Sequence, residues 1–143
     1  MSELSSWLPT DRLYDESSYL WVKEESESGN LLVGIGHPTI ESLGELSYLT
    51  LSGPGTEVKR GESVGSMEAA KMTGEIVSPV SGTIVRRNER VLEDPRTAGG
   101  DPYRDGWLFS IAPTSWDEDK FRLLDSGRFY DTLPEDLRGP ASN

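Results

Sequence analysis

Apolar residues occur along this chain in short runs, which glycine, proline and polar residues separate. Runs rich in Val, Ile, Leu, Tyr and Trp between such breaks are typical of β-strands. On this pattern the chain contains mainly short strands, and their spacing leaves room for only a few helices. We predict strands at 19–23, 31–35, 45–51, 57–58, 82–87 and 107–111.

Helical signals are confined to a few segments. Pro38 near the start and Gly44 at the end bound one short helix at 37–44. Apolar residues recur at roughly helical spacing in 117–124 and 128–133, with a break at Ser126-Gly127. The stretch 88–100 contains Pro and Gly and is predicted to form a long loop or a short helix. His37, the single histidine, falls at the start of the first helix. We expect it to cap that helix or to pack against the core, and not to act as a catalytic base.

The segment around Lys71 gives a conflicting local signal. Met67-Glu68-Ala69-Ala70-Lys71-Met72 is a run of strong helix formers. Gly65 and Gly74 leave only eight residues between them, which is too few for a stable helix of its own. β-rich segments flank the run at 62–66 and 75–80, and turn glycines lie ten residues before and eleven after the lysine. We therefore predict a β-hairpin with Lys71 at its tip.

These elements predict a mainly β fold, in which short antiparallel strands form a sandwich or flattened barrel with helices attached. The length of 143 residues fits one such unit. We expect an N-terminal arm at 1–18, a β-sandwich at 19–113 and a C-terminal helical extension at 114–143.

The net charge of −11 argues against a nucleic-acid partner, because such partners are recognised mainly through phosphate groups. The charge is uneven: residues 51–100 carry seven acidic and seven basic side chains, while both flanking regions are acidic. Acidic flanks favour solubility, and they can also steer basic docking surfaces of partner proteins toward the chain.

Composition also limits the chemistry of the chain. It contains no cysteine and one histidine, which excludes disulfides, thiolate catalysis and zinc–thiolate sites. No apolar run approaches the roughly 20 residues that span a bilayer, and the first residues lack the pattern of a signal peptide. We expect a cytoplasmic monomer with no membrane partner.

An exposed lysine is usually just solvated. To act as a nucleophile, Lys71 would need burial or a cationic neighbour that lowers its pKa, and a hairpin tip supplies neither obviously. The remaining use is covalent, since an amine on a rigid hairpin can be acylated by a group carrier such as lipoate or biotin. In such a protein the cofactor provides the reactivity and the protein only presents it.

The stretch Gly65–Ile76, followed by Ser78-Pro79-Val80-Ser81-Gly82, resembles the hairpin of lipoyl and biotinyl carriers. The wider chain, over about residues 10–137, is similar to the lipoyl-carrying H-protein of the glycine cleavage system. The matching stretches outside the hairpin are Trp21-Val22, Val33-Gly34-Ile35, Leu43-Gly44-Glu45-Leu46, Gly61-Glu62, Asn88-Glu89, Leu92-Glu93-Asp94, Asp101-Pro102-Tyr103, Asp105-Gly106-Trp107-Leu108 and Leu123-Leu124-Asp125 with Tyr130.

The resemblance implies a hammerhead β-sandwich with flanking helices and a lipoate amide-linked to Lys71. It implies a carrier without catalytic activity, whose arm swings between partner enzymes and folds back into a surface cleft when loaded. A lipoate ligase or lipoyl-transfer enzyme would attach the cofactor, with Glu68 and Glu75 as recognition points. Ala70 and Met72 flank the lysine, and Met67 and Met72 could shield the stem of the arm.

The chain also departs from the usual H-protein pattern. Ala69-Ala70 replaces Ser-Val before the lysine, Met72-Thr73 replaces Ala-Ala after it, and Tyr19-Leu20-Trp21 replaces His-Glu-Trp. Ile35-Gly36-His37-Pro38 likewise replaces an acidic Ile-Thr-Asp segment. These departures cluster where the arm and its partners would meet the protein.

Three interpretations of the arm's pathway follow. The departures favour an H-protein-like lipoate carrier for a heterodisulfide-reductase-like sulfur-oxidising complex. The alternative is an ordinary H-protein, which carries an aminomethyl group between glycine decarboxylase and aminomethyltransferase and is reoxidised by dihydrolipoyl dehydrogenase. A biotin carrier is a further alternative, because Glu68–Met72 is close to the biotinyl pattern Glu-Ala-Met-Lys-Met. The extended frame and the C-terminal helices argue against that third interpretation. A further possibility is an unmodified binding module with the same fold.

Overall fold

The computed structural model describes residues 6–139, and within them the chain forms nine β-strands in two antiparallel sheets. The larger sheet has six strands in the order β1-β2-β3-β9-β8-β5, and the smaller has the order β4-β6-β7. The strands are β1 (Leu13–Tyr14), β2 (Leu20–Glu24), β3 (Leu31–Ile35), β4 (Leu46–Leu51), β5 (Glu57–Val58), β6 (Ser63–Ala69), β7 (Thr73–Val77), β8 (Gly82–Arg87) and β9 (Phe109–Pro113).

One apolar core joins the two sheets. Val33 and Ile111 of the larger sheet belong to the same buried cluster as Leu49, Val64 and Ile76 of the smaller one. Two sheets that bury their inner faces against each other form a β-sandwich, which confirms the predicted fold class. The sheets exchange no strand, so the sandwich is not closed into a barrel in the described part of the chain.

The larger sheet is covered on its outer face as well. A second cluster is built around Tyr14, Trp21 and Phe129 and also includes Leu8 and Leu133 from the two ends of the described chain. Strands buried on both faces have nearly continuous apolar sequences instead of alternating ones. This second layer accounts for the sequences of β2 and β3, in which most residues are buried.

Within residues 8–139, five short α-helices lie outside the sheets. They are α1 (His37–Leu43), α2 (Glu89–Glu93), α3 (Arg96–Gly100), α4 (Trp116–Lys120) and α5 (Ser126–Thr132), and a 3₁₀ turn follows at Glu135–Leu137. Two of them begin at a side-chain cap: Asn88 accepts a hydrogen bond from the Arg90 amide, and Asp125 accepts one from the Arg128 amide.

Most predicted elements are present, with shifted ends. The strand at 82–87 and the helix ending before Gly44 are confirmed, and 88–100 contains two short helices. The helix predicted at 117–124 is too long, since α4 ends at Lys120 and Leu124 forms a bridge with Tyr14. The break predicted at Ser126-Gly127 is wrong, because both residues lie at the start of α5, which Asp125 caps. The expectation of an irregular arm at 1–18 fails at Leu13–Tyr14, which pairs with β2, while residues 1–5 lie outside the described part.

No helix within residues 6–139 combines the length and the apolar character that crossing a membrane requires.

Candidate functional site

The predicted hairpin is formed by β6 and β7, which pair antiparallel. Ser63 faces Val77 at the base of the hairpin, and Glu68 faces Thr73 near its tip. The Ala69 amide donates a hydrogen bond to the Met72 carbonyl at 2.8 Å and closes a tight turn. Ala70 and Lys71 are the two central residues of that turn. The structure therefore places Lys71 at the tip of a hairpin, as the glycine spacing predicted.

The Lys71 side chain is exposed. Within residues 6–139 its amine takes part in no hydrogen bond and no ion pair. Burial or a cationic neighbour would be needed to make it a catalytic nucleophile, and the tip supplies no burial. The arrangement suits an amine that another enzyme must reach and acylate.

The main chain of the tip is held by a different part of the protein. The Ala70 amide donates to the Glu45 carbonyl at 3.0 Å, and the Lys71 amide donates to the Leu43 carbonyl at 2.9 Å. Gly44 lies between these two acceptors, with a φ of 81° in the left-handed region that favours glycine. The link between α1 and β4 is therefore docked under the tip.

The predicted flanking residues lie close to the lysine on both strands. Glu68 on β6 and Glu75 on β7 are exposed and do not pair with each other across the hairpin, because Glu68 faces Thr73. Tyr48 of the neighbouring β4 lies beside Glu68 and is 53% exposed. Met72 is exposed at the tip, and Met67 is half-buried on the hairpin.

A cleft of about 240 Å³ adjoins the hairpin. One wall is formed by β6 and β7 and the other by the β1–β2 loop and the start of α1. Buried Leu20 and Ile35 contribute apolar surface to it. The full lining is Asp15, Ser17, Ser18, Leu20, Ile35, Thr39, Arg60, Gly61, Met67, Glu75, Ile76, Val77 and Ser78.

The polar part of the cleft contains a buried carboxylate. Asp15 is only 3% exposed, and its carboxylate accepts hydrogen bonds from the Ser18 hydroxyl at 2.7 Å and the Ser18 amide at 3.2 Å. The Arg60 guanidinium lies 3.6 Å from the other carboxylate oxygen. Its Nε is the one buried side-chain polar atom in the described residues that lacks a hydrogen-bond partner. The cleft is therefore bordered by a carboxylate and by a guanidinium group.

The loop that carries Asp15 is tightly closed. The Asp15 amide donates to the Leu20 carbonyl at 2.9 Å, and the Tyr19 amide donates to the Asp15 carbonyl at 2.8 Å. Tyr19 has a φ of 61°, and it is the one residue other than glycine in the described chain with a positive φ. A bulky residue in this conformation is strained. The strain lies in the loop that borders the cleft, at the first residue of the Tyr19-Leu20-Trp21 departure from the H-protein pattern.

His37 has the packing role that the sequence predicted. Its ring stacks on Trp7 with 5.5 Å between centroids and meets the edge of Tyr103 at 5.3 Å. Burial lowers the pKa of His37, and the nearby carboxylates of Glu41 and Asp101 oppose that shift. Within residues 6–139 no group of His, Asp and Glu side chains is arranged to hold a metal ion.

Sequence reasoning identified the hairpin and its lysine but missed two parts of the site. Asp15 is distant in sequence from Lys71, and no local pattern marks either Asp15 or Arg60 as part of a cleft. Gly44 was recognised only as a helix stop, although it also supports the tip. The stretch Leu43-Gly44-Glu45 matches the H-protein pattern, and this match was the one sequence signal that Gly44 has a role beyond ending a helix.

Comparisons with known proteins agree with one another. The family model described as glycine cleavage H-protein matches residues 12–136. A glycine cleavage system H protein of Idiomarina loihiensis is 35% identical over 130 residues, which cover 90% of this chain and 98% of the relative. A probable H protein of Pyrococcus abyssi is 31% identical over 133 residues, covering 93% of this chain and 98% of the relative.

The fold comparison gives the same family. The crystal structure of a glycine cleavage system H protein from Mycobacterium marinum superposes with a TM-score of 0.77 and 34% sequence identity. The match covers 87% of this chain and 97% of that protein.

Proposed function

The chain belongs to the glycine cleavage H-protein family, and from that premise we propose that it is a lipoyl carrier with lipoate amide-linked to Lys71. Proteins of this family carry lipoate covalently on a lysine and are not themselves catalysts. The observation that carries the proposal is the exposed, unpaired amine of Lys71 at a tip whose main chain is anchored.

The residues around Lys71 fit a lipoyl arm. The amine is accessible for acylation, and apolar surface from Met67, Leu20 and Ile35 continues from the hairpin into the cleft. Lipoate supplies a disulfide that opens to accept a group and is re-formed by oxidation. The protein contributes presentation at the tip and shelter in the cleft, and its lack of cysteine leaves no internal thiol that could trap the disulfide.

For the pathway we propose the ordinary H-protein function, in which the arm carries an aminomethyl group. H-proteins work with glycine decarboxylase, aminomethyltransferase and dihydrolipoyl dehydrogenase. The relatives that match nearly the full chain are H proteins of glycine cleavage, and none of the comparisons supports the sulfur-oxidising complex that the departures favoured. The order of the two sequence-based interpretations is therefore reversed.

The cleft is the proposed resting place of the loaded arm. An aminomethyl cargo contains an amine that is cationic at neutral pH, and a buried cation needs a carboxylate or another acceptor. Asp15 and Glu75 both line the cleft, so it offers such acceptors, although Leu20 stands where H-proteins usually have glutamate. The acceptor role would then pass from the β2 position to carboxylates on the loop and on β7.

Attachment requires recognition by a lipoate ligase or a lipoyl-transfer enzyme. Glu68 and Glu75 are exposed on the two strands that lead to the tip, and we assign them to that recognition. Met72 and Ala70, directly beside the lysine, would contact the acyl group as it is attached.

The attachment is tested by intact-mass spectrometry of protein made with a lipoate ligase, lipoate and biotin all present. The wild-type chain should gain one lipoyl group. Lys71→Arg should gain none, because arginine keeps the charge but does not form this amide, and the matched control Lys59→Arg should be modified normally. An unchanged wild-type mass, or a lipoylated Lys71→Arg variant, would contradict the assignment, and a biotinyl mass would make the chain a biotin carrier.

The pathway is tested with the lipoylated protein, glycine decarboxylase and glycine labelled at the methylene carbon. Transfer of label to wild-type protein and its absence from Lys71→Arg are expected. If a lipoylated chain takes no label from glycine but is turned over by a sulfur-oxidising complex, the aminomethyl proposal is wrong and the other pathway is correct.

A further inference from the structure

The tip of the hairpin is anchored by hydrogen bonds that do not belong to the hairpin. The amides of Ala70 and Lys71 occupy the centre of the turn, where a hairpin leaves them pointing away from its own ladder. Here they donate to Glu45 and Leu43, at 3.0 and 2.9 Å. The side chains of the turn take no part in this anchoring.

The acceptors are available because α1 ends at this point. The last carbonyls of a helix have no partner within the helix and must find one elsewhere. Leu43 is the final residue of α1, and the Lys71 amide satisfies its carbonyl. The hairpin tip therefore supplies the donor that the end of α1 lacks, and α1 supplies the acceptor that the tip lacks.

Gly44 makes this arrangement sterically possible. Its φ of 81° turns the chain so that the carbonyls on both sides of it face the hairpin, and its amide closes α1 on the Ile40 carbonyl at 2.9 Å. A Cβ at this position would lie 3.0 Å from the Ala70 Cβ and 3.7 Å from the Lys71 Cγ. A side chain there would press on Ala70, the residue before the lysine, and would lie in van der Waals contact with the stem of the lysine.

We propose that Gly44 is the positioning residue of the carrier lysine. It allows the α1–β4 link to hold the tip through main-chain atoms only, so that Lys71 leaves the protein from a fixed point with its side chain free. The proposal rests on Lys71 as the attachment point. It adds that the efficiency of modification depends on a residue that no modifying enzyme needs to contact.

The chain offers a closely matched control for a Gly44 substitution. Gly29, in the turn between β2 and β3, has a φ of 77°, and a Cβ added there would meet no atom within 4 Å. Gly44→Ala and Gly29→Ala both place a side chain at a positive φ, and only the first also brings that side chain into contact with the tip. A general loss of stability would appear in both variants.

The first measurement is hydrogen–deuterium exchange of the Lys71 amide by NMR. Loss of one hydrogen bond should make this amide exchange about tenfold faster in Gly44→Ala than in Gly29→Ala. Core amides such as that of Ile76 should exchange alike in the two variants. Equal exchange of the Lys71 amide in both would overturn the proposal.

The second measurement is the rate of lipoylation. The value of kcat/KM for the ligase should fall by about tenfold in Gly44→Ala relative to Gly29→Ala, because a mobile tip presents the amine less often in the reactive geometry. Unchanged kcat/KM despite faster amide exchange would also overturn the positioning role. If the wild-type chain accepts no lipoate, the proposed function fails, and the exchange measurement still decides whether Gly44 holds the tip.

Ala70→Pro provides a second variant if Gly44→Ala does not fold. Proline at the first central position of a turn is conformationally favourable, but it removes the amide that donates to Glu45. The same increase in Lys71 amide exchange and the same fall in kcat/KM are expected. An Ala70→Pro chain that keeps both values would count against main-chain anchoring.

Discussion

The β2–β3 and β6–β7 hairpins differ in the way their turns are held. The turn after β2 is anchored by a side chain, since Glu25 pairs with Arg86 at 2.9 Å and accepts a hydrogen bond from the Ser110 hydroxyl at 3.1 Å. The turn after β6 is anchored by the amides of Ala70 and Lys71. Anchoring through the main chain leaves every side chain of the second turn free, which a carrier lysine requires.

The bodies of the two hairpins differ as well. β2 and β3 lie inside a sheet that is covered on both faces, and Trp21 of β2 is fully buried in the second cluster. The β6–β7 hairpin buries one face, with Val64 and Ile76 in the core, and exposes Glu68 and Glu75 on strands that end at the tip. The first hairpin is thus a structural element, while the second combines a structural base with a functional end.

The largest expected effect is a difference in the free energy of unfolding between glycine substitutions in the strands of the two hairpins. Gly34 on β3 faces Trp21, and a Cβ there would overlap the buried indole ring, whereas a Cβ at Gly74 on β7 would meet only the end of Met72 at 3.6 Å. Gly34→Ala should lower the free energy of unfolding by about 2–3 kcal/mol. Gly74→Ala should change it by less than about 0.5 kcal/mol.

Urea unfolding followed by Trp fluorescence measures both values. A Gly34→Ala chain as stable as the wild type would show that the indole ring can move aside, and the contrast between the two hairpins would then be wrong.

A smaller effect is expected when the side-chain anchor of the β2–β3 turn is weakened, and it should leave the main-chain anchor of the β6–β7 turn unchanged. Glu25→Gln removes the charge that pairs with the half-exposed Arg86 but keeps an oxygen for Ser110, so it should cost about 0.5 kcal/mol. The loss should shrink at high salt, because salt screens surface pairs. Glu27→Gln, in the same turn, is the control and should cost nothing measurable.

Urea unfolding at low and high salt tests this prediction, together with exchange of the Lys71 amide, which should not respond to either variant. A salt-dependent change in Lys71 exchange would indicate that the second turn also relies on charged side chains.

The smallest effect concerns pH and the helix that holds the tip. Burial lowers the pKa of His37, at the start of α1, below its ordinary value of 6.5, so the folded state favours the neutral ring. The unfolded chain then binds the proton more readily, and stability should fall as the pH drops below about 6.5. We expect only a small loss by pH 5.5, because the carboxylates of Glu41 and Asp101 oppose the effect of burial.

Comparing the wild type with His37→Gln between pH 7.5 and 5.5 isolates this contribution to the free energy of unfolding. The Lys71 amide should lose protection more than the amides of β2 and β3, after correction for intrinsic exchange. If the wild type gains stability relative to His37→Gln on acidification in this range, the sign is reversed and the prediction is refuted.

Much of the fold could be predicted because its signals are local. Short apolar runs between Gly and Pro marked the strands, and Pro38 with Gly44 marked α1. The errors arose where long-range pairing overrides local preference. Leu13–Tyr14 looks irregular but pairs with β2, and Leu124 leaves a helical pattern to bridge Tyr14. No local rule contains these partners, because they lie at a distance in sequence.

The sequence by itself determined that a lysine stands at a hairpin tip and that the surrounding frame is that of an H-protein. Turn glycines at regular distances and a series of short matching stretches were sufficient for that. Only the tertiary structure decided how the tip is supported and where an arm can rest. The end of α1 meets the Lys71 amide, and Asp15 and Arg60 meet across the cleft, because the packing of the sandwich brings separate segments together. The same packing turns Gly44 from a helix stop into the support of the functional residue.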